Sequence, residues 1–135
     1  MPRLILAAFL LAPLLARADL EPGNWELTVT ASVAGMGSMP PVTRTQCLSA
    51  ADVRDPSRMF GPNNNPGCTF GNQRDTGSEY SFTVACTGQV PVTGRGSVRY
   101  GGSTLTAQME LDGEAQGQKF STTSLVAGRR LGPCN

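Results

Sequence analysis

Histidine is absent from the 135 residues, and its absence restricts the chemistry open to this chain. There is no Ser-His or Cys-His nucleophile system, no histidine ligand for zinc or copper, and no side chain with an ordinary pKa near 7. Carboxylates and one lysine, Lys119, remain for proton transfer or covalent chemistry. No catalytic or cofactor-binding motif stands out among them. We therefore expect a protein that is not an enzyme and that holds no cofactor or metal.

The triplet Asp75-Thr76-Gly77 has the composition of an aspartic protease motif. Such an enzyme needs two aspartates that share a proton inside an apolar turn. Here Asn72, Gln73 and Arg74 precede the aspartate, and turn-forming residues explain the triplet better than catalysis does. An aspartic-type protease is thus a remote alternative.

Two methionines, Met36 and Met39, lie in a Gly/Pro-rich loop at residues 35–41. Thioethers are soft ligands that favour Cu(I). Two of them without a histidine or a free thiolate nearby make an incomplete ligand set, and loop methionines more often pack on a partner or over a cavity. Cu(I) binding is a second remote alternative.

The segment from Cys68 to Cys86 has the pattern of a hairpin closed by a disulfide. Two strand-like runs flank the turn-forming residues Asp75–Gly77. Folding about Gly77 predicts three cross-strand pairs: Cys68 with Cys86, Phe70 with Val84, and Asn72 with Phe82. Directly opposed residues lie roughly 4.5–5.5 Å apart, which is within disulfide range.

Pairing Cys68 with Cys86 leaves Cys47 for Cys134. Four cysteines allow three connectivities, and the symmetry of the hairpin selects this one. No Cys-x-x-Cys spacing is present, so we expect both bonds to be structural. By loop entropy the short loop should contribute about 3 kcal/mol and the long loop somewhat more than 4 kcal/mol.

Alternating apolar and polar residues predict β-strands joined by short turns. The alternation is strict from Trp25 to Val33, and Trp25, the only tryptophan, is the expected core anchor. Further strands are predicted at 42–48, 94–100, 103–111 and 118–127. A Gly101-Gly102 turn would set Val98 opposite Leu105, and Asp112-Gly113 would begin the next turn.

Ser49 and Asp52 form the start signal of a helix, which Asp55-Pro56 limits to about two turns. Residues 57–60 are compatible with one more helical turn. The predicted fold is all-β: a mainly antiparallel meander of about seven strands, open or closed into a barrel-like form, with one short helix and two disulfides.

Residues 1–18 have the three parts of a secretory signal peptide. Arg3 gives a positive start, an apolar run follows from Leu4 to Leu15, and Ala16-Arg17-Ala18 is a small-x-small cleavage site. The apolar run is too short to span a membrane. We therefore expect cleavage of residues 1–18, export to the periplasm or the medium, and one disulfide-stabilised β domain at 19–135 that does not span a membrane.

Removing 18 of the 135 residues leaves 117, among them nine basic and ten acidic side chains. The resulting net charge of −1 provides no electrostatic attraction for nucleic acid, which we do not expect as a partner.

Several short motifs together bring a family into view. They are Pro22-Gly23-Asn24-Trp25-Glu26, the Met/Gly/Pro loop at 35–41, Gln46-Cys47-Leu48, Asp55-Pro56, Cys68, Cys86, Gly128-Arg129-Arg130-Leu131-Gly132 and Cys134. In this order and combination the chain resembles a family of exported bacterial proteins catalogued as domain of unknown function 3617. The resemblance covers essentially all of residues 19–135 and implies export, but it implies no mechanism.

The leading functional hypothesis is a non-enzymatic β-domain that binds an apolar small molecule or a protein partner. Small barrels hold ligands in their mouths where interior side chains leave room. The residues expected to line such a surface are Trp25, Met36, Met39 and Phe60. The alternative is an envelope stress or assembly factor that acts through protein contacts alone, for which an exposed apolar patch would be evidence.

Overall fold

The computed structural model describes residues 19–60 and 66–135 of the chain. The predicted signal peptide at residues 1–18 therefore lies outside the described residues. The strands are β1 (Gly23–Val33), β2 (Gly37–Ser38), β3 (Val42–Leu48), β4 (Cys68–Asp75), β5 (Glu79–Cys86), β6 (Val92–Gly101), β7 (Thr104–Ala115) and β8 (Gln118–Gly132). The helices are α1 (Ala50–Arg54) and α2 (Pro56–Phe60).

The eight strands form one sheet in the order β2-β1-β8-β7-β6-β5-β4, and β3 pairs with β1 on the same side as β2. Every pairing between strands is antiparallel. The chain runs as a meander from β4 to β8, and β8 then pairs with β1. Within residues 19–60 and 66–135 no pairing joins β3 to β4, so the sheet is open. The prediction of an antiparallel all-β meander is confirmed.

The structure adds one strand and one helix to the predicted meander of about seven strands with one short helix. The additional strand, β2, forms because Gly35 and Gly37 adopt positive φ angles of 81° and 88° and return the chain onto β1. The additional helix, α2, begins at Pro56, since proline suits the first position of a helix. The Asp55-Pro56 step therefore ends one helix and starts another.

The register of the β4–β5 hairpin confirms two of its three predicted pairs. Cys68 lies opposite Cys86 and Phe70 opposite Val84. The third prediction, Asn72 opposite Phe82, is wrong because the ladder is irregular between Gly71 and Arg74. Asn72 adopts a φ of 48°, which removes it from the regular pairing.

The turns that flank β7 lie further along the chain than predicted. Gly101 pairs with Thr104, so the β6–β7 loop is Gly102-Ser103 and Val98 lies opposite Ala107 instead of Leu105. Asp112-Gly113 continues β7 rather than ending it. The actual β7–β8 turn is Gln116-Gly117, whose φ angles of 52° and 77° fit a two-residue hairpin loop.

Both predicted disulfides are present, Cys68–Cys86 and Cys47–Cys134. The first closes the open end of the β4–β5 hairpin. The second joins elements on either side of β1, because Asn24 pairs with Cys47 of β3 and with Gly132 near the end of β8. It therefore fastens the edge strand β3 to the C-terminal strand.

The two faces of the sheet differ in polarity, as the strand alternation requires. We call the inner face the one that carries the core, which consists of Leu20, Trp25, Leu27, Leu48, Tyr80, Phe82, Val84, Val98, Tyr100 and Leu105. The outer face carries hydroxyls and cross-strand ion pairs: Arg95–Glu110, Arg99–Glu79 and Arg129–Glu26, at 2.7, 2.8 and 2.8 Å.

One sheet and two five-residue helices must bury this core, so the sheet has to curve around it. Glycines on the inner face make room for the curvature by accepting large side chains from neighbouring strands. A Cβ added to Gly96 would lie 2.4 Å from the Phe82 ring, and one added to Gly113 would lie 2.5 Å from the Phe120 ring. The rings thus occupy the space above bare backbone.

Among the described residues, no helix has the length and apolar composition to cross a membrane.

We predict that Gly96→Ala destabilises the protein by about 1–3 kcal/mol, because the new methyl group overlaps the Phe82 ring. The measurement is the free energy of unfolding in urea. In a protein that already carries Phe82→Leu, the same glycine substitution should cost much less. An equal cost in both backgrounds would show that the ring is not what excludes a side chain at this position.

Candidate functional site

A cavity of about 510 Å³ opens on the inner face at the end of the sheet that the helices cover. Its lining residues are Leu27, Arg44, Gln46, Leu48, Met59, Phe60 and Leu105. The three leucines are buried and form an apolar floor. Arg44 and Gln46 are exposed on the edge strand β3 and form a polar rim. The volume is within the range of about 300–1,000 Å³ typical of small-molecule sites.

The α1–α2 pair supplies one wall of this cavity through Met59 and Phe60. Helices of five residues are not stable alone, so their caps and packing must hold them. At α1, the Ser49 hydroxyl accepts from the Asp52 backbone N–H at 3.2 Å, and the Asp52 carboxylate accepts from the Ser49 backbone N–H at 2.9 Å. This reciprocal capping box confirms the predicted start of the helix.

Electrostatic contacts connect the two helices. Arg58 of α2 lies 3.7 Å from the Asp52 carboxylate of α1, and Asp55 accepts from the Ser57 backbone N–H at 3.0 Å where α2 begins. The hydrogen bonds from Ser49, together with the positive charge of Arg58, lower the pKa of Asp52 below its ordinary value of 3.8. The carboxylate of Asp52 therefore stabilises the helix pair in its ionised form.

The four residues predicted to line a ligand or partner surface do not come together. Phe60 lines the cavity. Trp25 is completely buried in the core, where its indole N–H donates to the Glu21 carbonyl at 3.0 Å, and it does not line the cavity. Met36 and Met39 are 84% and 52% exposed at the β1–β2 hairpin. Val33, beside that hairpin, is about 26 Å along β1 from Trp25 at 3.3 Å per residue.

Besides Phe60, six residues line the cavity that the sequence did not predict there: Leu27, Arg44, Gln46, Leu48, Met59 and Leu105. The signal for two of them was present, because alternation along β3 places Arg44 and Gln46 on the same face as the buried Leu48. Strand pairing gives the same result, since Arg44 lies opposite Leu27 and Gln46 opposite Trp25. A charged residue opposite a core leucine is unusual and marks a boundary between the core and solvent.

Asp75, the aspartate of the protease-like triplet, has structural partners. Its carboxylate accepts from the Gly77 backbone N–H at 2.8 Å and from the Tyr100 hydroxyl at 2.6 Å. Asp75 thus links its turn to the end of β6, as a turn-forming residue would.

Burial raises the pKa of Tyr80 above its ordinary value, and the negative charges of Asp55 and Asp75 raise it further.

Two other methionines and the C-terminal arginine pair also have defined positions. Met59 on α2 and Met109 on β7 pack against the core, so Met36 and Met39 are the thioethers at the exposed hairpin. In residues 19–60 and 66–135 no three His, Cys, Asp or Glu side chains are grouped so that they could hold a metal ion. Arg130 donates to the Pro22 carbonyl at 2.8 Å, which adds to the ion pair of Arg129 with Glu26.

Two further grooves, of about 330 and 630 Å³, lie along the outer face and are both bordered by Arg95 and Glu110. They are more open to solvent than the inner cavity. Their side chains are mainly hydroxyl and charged groups, and Arg95 and Glu110 already satisfy each other. The inner cavity differs from them in being more enclosed, and because its leucines are buried its polar rim makes up the larger part of its exposed lining.

These features define a small disulfide-bonded β protein, with an open sheet and a ligand-sized cavity beneath a helix pair. Residues 20–134 match the family described as "Protein of unknown function (DUF3617)". The chain belongs to this family, and the resemblance seen in its short motifs is confirmed. No curated protein and no solved structure matches the chain. The family description assigns no activity, so a functional proposal has to rest on the residues that line the cavity.

We predict that Ser49→Ala loosens the cavity wall, because it removes the cap of α1 and costs about 1 kcal/mol. The pKa of Asp52, followed by NMR of its carboxyl group, should rise toward 3.8 in this variant. Since the folded-state pKa is the lower one, the stabilisation exists above pH 3.8 and is lost as the pH falls through the folded-state value. Ser49→Thr, which keeps the hydroxyl, is the control. An unchanged pKa in the alanine variant would rule out the capping interaction.

Proposed function

We propose that this protein is exported to the periplasm and binds an apolar small molecule in the cavity beneath α2, without catalysing a reaction. The observation that carries the proposal is the cavity itself. It combines buried leucines as the floor, Met59 and Phe60 as one wall, and a polar rim on β3. Ligand sites commonly join an apolar lining to a few polar groups that orient the ligand.

Export is supported by two independent features. Residues 1–18 have the charge, length and cleavage pattern of a signal peptide. All four cysteines are oxidised, and disulfides persist in oxidising compartments such as the periplasm.

Binding rather than catalysis is supported by the groups that surround the cavity. Among the residues that the structure describes, its lining contains an arginine and a glutamine but neither a carboxylate nor a nucleophilic side chain. General acid–base or nucleophilic catalysis needs such groups within hydrogen-bonding reach of the substrate.

A second candidate function is contact with an envelope protein. It is favoured by the β1–β2 hairpin and the start of β3, where Met36, Met39 and Val42 are 84%, 52% and 64% exposed. These three large apolar side chains lie within seven residues of the chain, and exposed apolar groups that cluster on a surface are typical of sites that protein partners cover. Cu(I) binding by Met36 and Met39 remains a remote alternative. An aspartic-type protease based on the Asp75-Thr76-Gly77 triplet remains another.

The ligand-binding proposal is tested with N-phenyl-1-naphthylamine, a neutral apolar dye that fluoresces on leaving water. We predict that the dye binds the wild-type protein and that Gln46→Trp weakens binding at least about tenfold, because the indole fills the mouth of the cavity. Thr45→Trp is the matched control, since Thr45 pairs with Glu26 and faces the outer side of the same strand. Its dye affinity should equal that of the wild type.

Two results would contradict the proposal. One is the absence of dye binding by the wild-type protein, together with a native mass spectrum that shows no small molecule co-purifying from its host. The other is an equal loss of binding in both tryptophan variants, which would place the dye outside the cavity.

A further inference from the structure

Arg44 is a cation on the apolar side of the sheet. It lies directly opposite Leu27, a core residue that is 7% exposed. Its neighbours on the same face of β3 are Val42 and Gln46, neither of which is acidic. The guanidinium therefore stands at the boundary between the apolar floor of the cavity and solvent.

Four of the five other arginines on the sheet have an acidic partner, and the fifth, Arg74, lies exposed on the edge strand β4 opposite Ser81. Arg95, Arg99 and Arg129 each face a glutamate across a strand pair of the outer face, at 2.7–2.8 Å. Arg130, which shares the inner face with Arg44, donates to the Pro22 carbonyl and lies 3.9 Å from the Glu21 carboxylate. Arg44 has no ion pair and no side-chain hydrogen bond among the residues that the structure describes.

We infer that the cavity takes a single-chain aliphatic carboxylate, whose acid group binds Arg44 and Gln46 and whose chain lies over Leu27, Leu105 and Phe60. This inference rests on the proposed function and specifies its ligand class. The planar guanidinium offers two parallel N–H donors that match the two oxygens of a carboxylate, and the Gln46 amide supplies a further donor. The apolar chain lies against the leucine floor, which a purely polar anion bound at the rim would not contact.

The charge count at the rim selects a monoanion. Arg44 is the one charged side chain that the described residues contribute to the lining, so it balances a single negative charge. A phosphate monoester would carry a second charge with no partner at this rim, and a cationic amphiphile would be repelled by the guanidinium. A neutral alcohol of the same chain length would contact the apolar floor equally well, but it would not accept the two parallel hydrogen bonds that the Arg44 guanidinium offers.

The test compares dodecanoate with dodecan-1-ol, each below its aggregation concentration, as competitors of bound N-phenyl-1-naphthylamine. The disulfide-bonded wild-type protein should bind dodecanoate more tightly than the alcohol. Arg44→Gln should weaken dodecanoate binding about tenfold and leave alcohol binding within twofold, so that the preference disappears. Arg44→Lys keeps the charge without the planar fork and should give an intermediate preference.

The matched control is Arg74→Gln, which removes one exposed positive charge from the opposite edge strand, β4, where Arg74 pairs with Ser81. It should leave both affinities unchanged. Circular dichroism and thermal melting check that each variant folds, and the lysine variant keeps the test informative if the glutamine variant does not.

The outcomes separate the inference from the proposed function. Equal affinity of the wild type for acid and alcohol, unchanged in Arg44→Gln, would overturn the carboxylate assignment and leave the cavity as a neutral apolar site. An equal loss in Arg74→Gln would also overturn it, because the preference would then reflect net charge. Failure of the dye, the acid and the alcohol to bind the wild type would overturn both proposals.

Discussion

The structure depends on one constraint: in residues 19–60 and 66–135 a single β-sheet with one apolar face has no second sheet to cover it. In a two-layer β protein each sheet buries the apolar face of the other. Here the sheet must curve around its own core, and two five-residue helices must cover what remains. Glycines at Gly96, Gly113 and Gly128 make this possible, because rings and leucines from adjacent strands occupy the space that their side chains would fill. The disulfide Cys47–Cys134 then fastens the edge strand that borders the covered end.

The cavity follows from the same constraint. Short helices cover the end of a curved sheet incompletely, and the gap between α2 and β3 leaves buried leucines in reach of a ligand. The polar groups at this gap come from the edge strand, where side chains facing the inner side are no longer enclosed. Arg44 can therefore share a face with Leu27 and Leu48 while remaining exposed to solvent. The aliphatic chain of the proposed carboxylate would cover the part of the apolar face that the sheet and the two helices leave uncovered.

The fold was more predictable from the sequence than the site was. Period-two alternation and the spacing of Cys68 and Cys86 about Gly77 depend on local geometry, so the antiparallel sheet, the hairpin and both disulfides were predicted correctly. The errors were also local: the positive φ of Asn72 and the placement of the β7–β8 turn at Gln116-Gly117 depend on backbone conformations that composition does not specify. The cavity joins β1, β3, β7 and α2, which only the tertiary fold brings together. Of the four predicted surface residues, Phe60 alone lines it.

Among the strands that the structure describes, the sheet is open, with β3 and β4 as its edge strands. Amide hydrogen exchange, resolved by NMR, tests it most directly, because an edge strand pairs alternate N–H groups and leaves the others to solvent. We predict slow exchange throughout the interior strands β5 to β8 and an alternation of slow and fast exchange along β3 and β4. Uniformly slow exchange along both edge strands would mean that they are paired and the sheet is closed, which would contradict this account of the fold and of its cavity.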